Sequence, residues 1–133
     1  MQQEKILIID DESIVADLIM QALQMVGYNN VEKADNGQEG FEKYKMFLPD
    51  LVIMDIEMPV MDGYESSSKI KSFDPDARIM VLTGNPSDSR ARRTLEEDIA
   101  FTLLQKPISL LDLSRIVRES LPSYTCSKSG IQI

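Results

Sequence analysis

Five short apolar runs recur along this chain at intervals of roughly 25 residues, and the segments between them carry a helical pattern. The runs close near residues 10, 34, 55, 82 and 105. Each is too short for a helix and reads as a strand, most of them buried on both faces. Strands that alternate with helices imply a parallel sheet, right-handed crossovers and helices on both faces. The expected fold is therefore α/β, a doubly wound five-stranded parallel sheet. A length of 133 residues fits one such domain.

The local punctuation agrees with this division. Residues 5–9 are continuous apolar after Lys5, and Asp11 to Ser13 can cap the helix that follows. Ile14, Val15, Leu18, Ile19, Ala22, Leu23 and Val26 then fall at helical spacing, and Gly27 ends the run. A second strand is expected over residues 31–34, Asn36-Gly37 as a turn, and a second helix over 40–47. The third strand is expected over 51–54, the third helix over 64–73, and the fourth strand over 78–82. Asn85-Pro86-Ser87 opens a fourth helix over 88–97, and the fifth strand covers 100–105. Ser109 caps a last helix over 110–121, with Leu111, Leu113, Ile116, Val117 and Leu121 inward. Residues 1–121 form the expected domain, and 122–133 read as a polar tail or the start of a linker.

Four of the five runs end in a residue able to handle a phosphoryl group or its metal. They end in Asp10 and Asp11, in Asp55, in Thr83, and in Lys106 followed by Pro107. Open α/β sheets bind ligands beyond the carboxyl ends of their strands, so these side chains are expected in one crevice. Three carboxylates there repel one another and raise each other's pKa unless a cation neutralises them. Hard oxygen ligands with room for water suit Mg²⁺. A carboxylate beside such a cation can attack a phosphoryl donor and form an acyl phosphate. Lys106 can neutralise charge on the phosphoryl oxygens, and Thr83 can donate a hydrogen bond to them.

The rest of the composition excludes other chemistry. There is no histidine, which rules out Ser-His-Asp and Cys-His catalysis and phosphorylation of the chain on its own His. Any phosphoryl donor must come from outside. Cys126 is the single cysteine, so an internal disulfide and a Cys-based zinc site are excluded. A net charge of −8 argues against nucleic-acid binding by this domain. Arg90, Arg92 and Arg93 read as a solvated helix face or a docking face. No apolar stretch approaches a membrane span, and a cytoplasmic protein is expected.

The segments IIDDES, VIMDIEMPVMDG, VLTG and LLQKP, in that order and each at a strand end, resemble the receiver domain of bacterial-type two-component response regulators. The resemblance spans residues 4–121. It implies a flavodoxin-like sheet of order 2-1-3-4-5, with Asp55 as phospho-acceptor and Thr83 as switch hydroxyl. It implies Mg²⁺ held by Asp10, Asp11, Asp55 and the backbone carbonyl of Glu57, with Lys106 on the phosphoryl group. The Lys106-Pro107 peptide is expected to be cis, and Gly63 to supply a permissive backbone conformation. The implied partners are a histidine kinase or histidine phosphotransfer protein upstream and an effector protein or domain downstream. The surface of helix four, strand five and helix five is expected to change on phosphorylation. A homodimer through the fourth-helix arginines and the acids of helix five is left open.

One position departs from the family. The aromatic residue normally three before the lysine is Leu103 here, so the usual threonine–aromatic coupling is expected to be weakened or replaced. Phe101 has the same strand parity, about 7 Å further from the site; a core position is favoured for it over a substitute role. Glu57 and Asn85 are candidates for controlling the water that hydrolyses the acyl phosphate. Two rival readings stand beside the receiver: a Mg²⁺-dependent phosphotransferase or phosphatase, and a receiver-like interaction module that is never phosphorylated. The receiver itself is expected to act as a switch and to catalyse only its own phosphorylation and slow dephosphorylation.

Overall fold

The computed structural model describes residues 2–121, and the tail with Cys126 lies outside the described residues. Its elements run β1 (Gln2–Ile9), α1 (Ser13–Met25), β2 (Tyr28–Ala34), α2 (Gly37–Phe47), β3 (Leu51–Met54), α3 (Gly63–Phe73), β4 (Ile79–Thr83), α4 (Ser89–Glu96), β5 (Thr102–Gln105) and α5 (Leu110–Ser120). All four strand pairings are parallel, and the sheet order is β2-β1-β3-β4-β5. The chain reverses its direction of winding between β1 and β3, the position where such sheets place their ligands.

The two-residue period of β1 builds two cores at once. Ile6 and Ile8 point to one face of the sheet, against Ala16, Ile19 and Leu23 of α1 and Leu113 and Val117 of α5. Leu7 and Ile9 point to the other, against Tyr44 of α2, Ile70 of α3 and Ala91 of α4. All four β1 side chains are fully buried. Each contributes roughly 1.5–3 kcal/mol of burial free energy, which holds the strand ends in place.

Several helix positions fall outside the core although their residues are apolar. The buried stripe of α1 is Ala16, Ile19 and Leu23, while Ile14, Leu18 and Val26 are exposed. Leu111 is exposed as well, two residues before the buried Leu113. Two residues along a helix turn about 200°, so Leu111 and Leu113 cannot share a face, nor can Ile14 and Ala16.

Some boundaries differ from the expected ones, each for a local reason. Asn36 is not in a turn but caps α2, its side chain accepting from the Glu39 N–H at 2.9 Å. Gly37 and Gly40 then lie inside the helix, where close packing against Met61 and Ile9 leaves no room for a Cβ. Strand β2 begins at Tyr28, earlier than expected, because its outer edge carries polar residues that hide the strand pattern. Strand β5 starts only at Thr102, which leaves Phe101 before it. Phe101 is 44% exposed and lies against the Arg78 guanidinium, 5.1 Å from the ring centre. It is therefore not a core residue. Leu103 instead packs against the core on the α2–α4 side.

Candidate functional site

Hydrogen bonds that continue the ladder past the strands bring the candidate residues into register. The Asp10 N–H donates to the Ala34 carbonyl at 3.1 Å, and the Asp55 N–H donates to the Ile9 carbonyl at 2.9 Å. The Lys106 N–H donates to the Thr83 carbonyl at 2.8 Å. The ends of β1, β3, β4 and β5 thus converge on one cleft of about 370 Å³, lined by Asp11, Glu12, Asp55, Glu57, Thr83, Gly84 and Lys106. The Lys106-Pro107 peptide is cis, as the resemblance implies.

Asp10 and Asp55 are buried, and Asp11 is exposed at the mouth. Asp10, Asp11 and Asp55 each offer a carboxylate oxygen within 4.8 Å of the others'. Asp55 Oδ1 accepts from the Ile56 N–H, and Asp10 Oδ1 from the Glu12 N–H, each at 2.8 Å. Burial, and next the Asp10 charge, push the Asp55 carboxyl up to about 7, although Lys106 opposes the shift. For Lys106, burial disfavours the charge. The Asp10 hydrogen bond and the neighbouring carboxylates outweigh burial and hold the ammonium above its ordinary value. Its Nζ lies 2.9 Å from Asp10 Oδ2, 3.2 Å from Glu12 Oε1 and 3.8 Å from Asp55 Oδ1.

These features make a fit for a hard divalent cation. The donors are carboxylate oxygens, one is exposed, and the cleft has room for the waters that Mg²⁺ retains. The protein itself supplies one cation to a cluster of three carboxylates, and burying unpaired charge costs several kcal/mol.

The loops around the cleft hold their shape through backbone contacts. Thr83 is buried, and its Oγ1 accepts from the Asn85 N–H at 3.1 Å. A Cβ at Gly84 would meet nothing within 4 Å, so that residue borders open space. Gly63 serves differently from expectation: its backbone is not left-handed. A Cβ there would lie 1.9 Å from the Asp55 carbonyl oxygen, so close approach excludes a side chain. The left-handed residue of this loop is Val60, at φ 70°.

The first helix is capped within the expected span from Asp11 to Ser13. Its N-cap is Glu12, whose side chain makes no capping bond. Reading the sequence missed Glu12 as a cleft residue. The available signal was its place two residues beyond Asp10, in the turn that leaves the central strand. Glu57 lines the cleft, whereas Asn85 is not among the lining residues. Of the three arginines, Arg92 and Arg93 pair along α4 with Glu96 and Glu97. Arg90 pairs with Asp88 at 2.8 Å and with Asp62 at 3.6 Å.

A doubly wound sheet with an acidic crevice at its switch point, and a lysine reaching it from the end of β5, defines the class of protein. The sequence model of the response regulator receiver domain matches residues 6–118, and the chain belongs to that family. It is 44% identical over 79 residues to the chemotaxis protein CheY of Bacillus subtilis, covering 59% of this chain and 66% of that one. It is 34% identical over 93 residues to CheY of Halobacterium salinarum, covering 70% and 77%. It also matches the autoinducer 1 sensor kinase/phosphatase LuxN of Vibrio campbellii at 30% identity, over 96% of this chain but only 15% of that protein. Among solved structures, a CheY-like receiver domain from Methanospirillum hungatei superposes with a TM-score of 0.86 at 28% identity, covering 95% and 99%. The response regulator TrrA of Thermotoga maritima, solved in complex with Mg²⁺-BeF, gives 0.77 at 34% identity, covering 90% and 100%. The chain is thus a receiver domain of two-component signalling, from a family of switch proteins rather than conventional enzymes. Among the described residues, no helix is long and apolar enough to cross a membrane.

Proposed function

We propose that this chain is a phosphorylation-dependent switch that accepts a phosphoryl group on Asp55. The observation that carries the reading is the burial of Asp55 at the floor of a cleft where Asp10, Asp11 and Lys106 converge on it. An Asp55 carboxylate oxygen attacks the phosphorus of an external donor. The new O–P bond forms as the bond from phosphorus to the donor breaks, and the electron pair leaves with the donor. A phosphohistidine on a kinase or phosphotransfer protein fits, because the chain has no histidine of its own.

Asp10, Asp11, Asp55 and the Glu57 carbonyl would hold Mg²⁺, which when bound offsets negative charge on carboxylates and phosphoryl oxygens. Lys106 supplies the protein's own cation to the same oxygens. Thr83 responds by turning its hydroxyl from acceptance of the Asn85 N–H to donation toward the phosphoryl group. That exchange pulls on Gly84 and Asn85, and so on α4. The α4–β5–α5 surface changes with it and presents the signal to a downstream effector. Phosphorylation adds roughly 1.5 to 2 negative charges, and only this differential affinity shifts the resting equilibrium. The receiver unit spans residues 1–121 and works in the cytoplasm, where a kinase can reach it.

Intact mass after incubation with a small acyl phosphate, with and without Mg²⁺, tests the reading on wild type and Asp55→Asn. A Mg²⁺-dependent adduct that the variant lacks is the expected result. No adduct on wild type under any condition would favour a fold-only interaction module.

A further inference from the structure

The ammonium of Lys106 rests off its target. It lies nearer to Asp10 and Glu12 than to Asp55, at 2.9 and 3.2 Å against 3.8 Å. Asp10 belongs to the three-carboxylate cluster, and Glu12 does not. Glu12 sits at the N-cap of α1, where Ser, Thr, Asp or Asn would ordinarily bond the helix end. Its side chain makes no such bond and reaches across the cleft to Lys106 instead. Its backbone is fixed from below by the Asp10 carboxylate, which accepts the Glu12 N–H. The contact therefore spans the mouth of the cleft from the end of β1 to the end of β5, with Glu12 exposed and Lys106 largely buried.

We propose that Glu12 is a positioning residue: it holds Lys106 away from Asp55 in the resting state and releases it when a phosphoryl group forms there. The inference rests on the reading of Asp55 as phosphoryl acceptor. The Glu12–Lys106 attraction stabilises the resting arrangement. A phosphoryl oxygen on Asp55 competes with Glu12 for the same N–H donors. Neutralising Glu12 raises the free energy of the resting state relative to the phosphorylated one. Glu12 thereby sets a threshold for phosphorylation without touching the phosphoryl group.

The test compares wild type, Glu12→Gln, Lys106→Met and the double variant, with a small acyl phosphate and Mg²⁺. Adduct formation is followed by intact mass. The Lys106 Nζ resonance of ¹⁵N-labelled protein is recorded beforehand, without metal or donor. Glu12→Gln is expected to be phosphorylated about two- to fivefold faster, the scale of an exposed ion pair. The Lys106 resonance should shift in the same variant, and the rate gain should vanish in the Lys106→Met background. A gain that persists without Lys106 would mean plain repulsion between Glu12 and the donor, and would overturn the proposal. Should Lys106→Met accept no phosphoryl group, the Nζ resonance decides alone, and an unshifted resonance overturns it. Normal phosphorylation of wild type with an unchanged rate in Glu12→Gln overturns this inference only. A wild type with no Asp55-dependent adduct overturns the reading of the site as well.

Discussion

The two sides of the cleft are built to different standards. On the β1/β3 side, each strand has neighbours on both flanks, and every residue of β3 is buried. Beyond β4 the sheet ends with β5. Among the described residues, strand β5 pairs only with β4, and its residues are half-buried or exposed. The central side carries Asp10 and Asp55, whose charges tolerate little displacement. Thr83 ends β4, which is buried throughout and flanked on both sides, whereas the edge strand β5 leads into Lys106. Close packing resists motion, because a dense core has few alternative arrangements. A loosely covered edge strand leaves space for rearrangement.

The largest expected effect strikes the central side. Gly63→Ala pushes a Cβ into the Asp55 carbonyl, a backbone atom that cannot step aside. It should destabilise the fold by about 3 kcal/mol or more, measured by urea unfolding. A cost under about 1 kcal/mol would show that the loop yields and that the central side is less rigid than its packing implies.

Paired truncations sharpen the comparison. Ile53→Ala, in the buried third strand, should cost about 3 kcal/mol, against about 1–2 kcal/mol for Leu103→Ala on the edge. Equal costs would break the distinction.

The third expectation concerns charge. Asp55 has a folded pKa of about 7, raised above its unfolded value. A raised carboxyl leaves stability intact below the unfolded pKa and lowers it as pH climbs to the folded pKa. In metal-free protein, Asp55→Asn should therefore stabilise the fold at pH 8 by about 1–3 kcal/mol, a gain that fades toward pH 4. A constant gain across that range would assign the effect to shape, not charge.

The smallest effect lies at the far edge. Arg78→Ala removes the guanidinium from the Phe101 ring and should cost about 0.5–1 kcal/mol by thermal unfolding. Phe101 should at the same time stay silent when a phosphoryl group is added. A shift of its ring resonances on addition of Mg²⁺ and beryllofluoride would revive it as a substitute for the aromatic residue absent at Leu103.

Legibility in the sequence follows the same division. The third strand was readable residue for residue because burial on both faces leaves an uninterrupted apolar run. The start of β5 was not readable, because Phe101 is apolar and its N–H still bonds the Ile79 carbonyl, yet its side chain lies exposed at a one-sided edge. Leu111 and Ile14 illustrate a related limit. Helical spacing identifies a helix, but which of two apolar stripes turns inward depends on what lies beneath. Gly63 was noticed for the wrong property. A sequence shows a glycine, while only the path of another segment shows that a backbone oxygen occupies the place of its Cβ.

The sequence by itself determined the alternation of strands and helices and the kinds of residue that end the strands. Both are local patterns, written in periods of two and 3.6 residues. The tertiary structure decided the rest. It brought Lys106 to Asp10 across 96 residues of chain, placed Glu12 over the lysine and raised the Asp55 pKa. Those properties arise from loss of water and from charges contributed by distant strands, so no local stretch of sequence contains them.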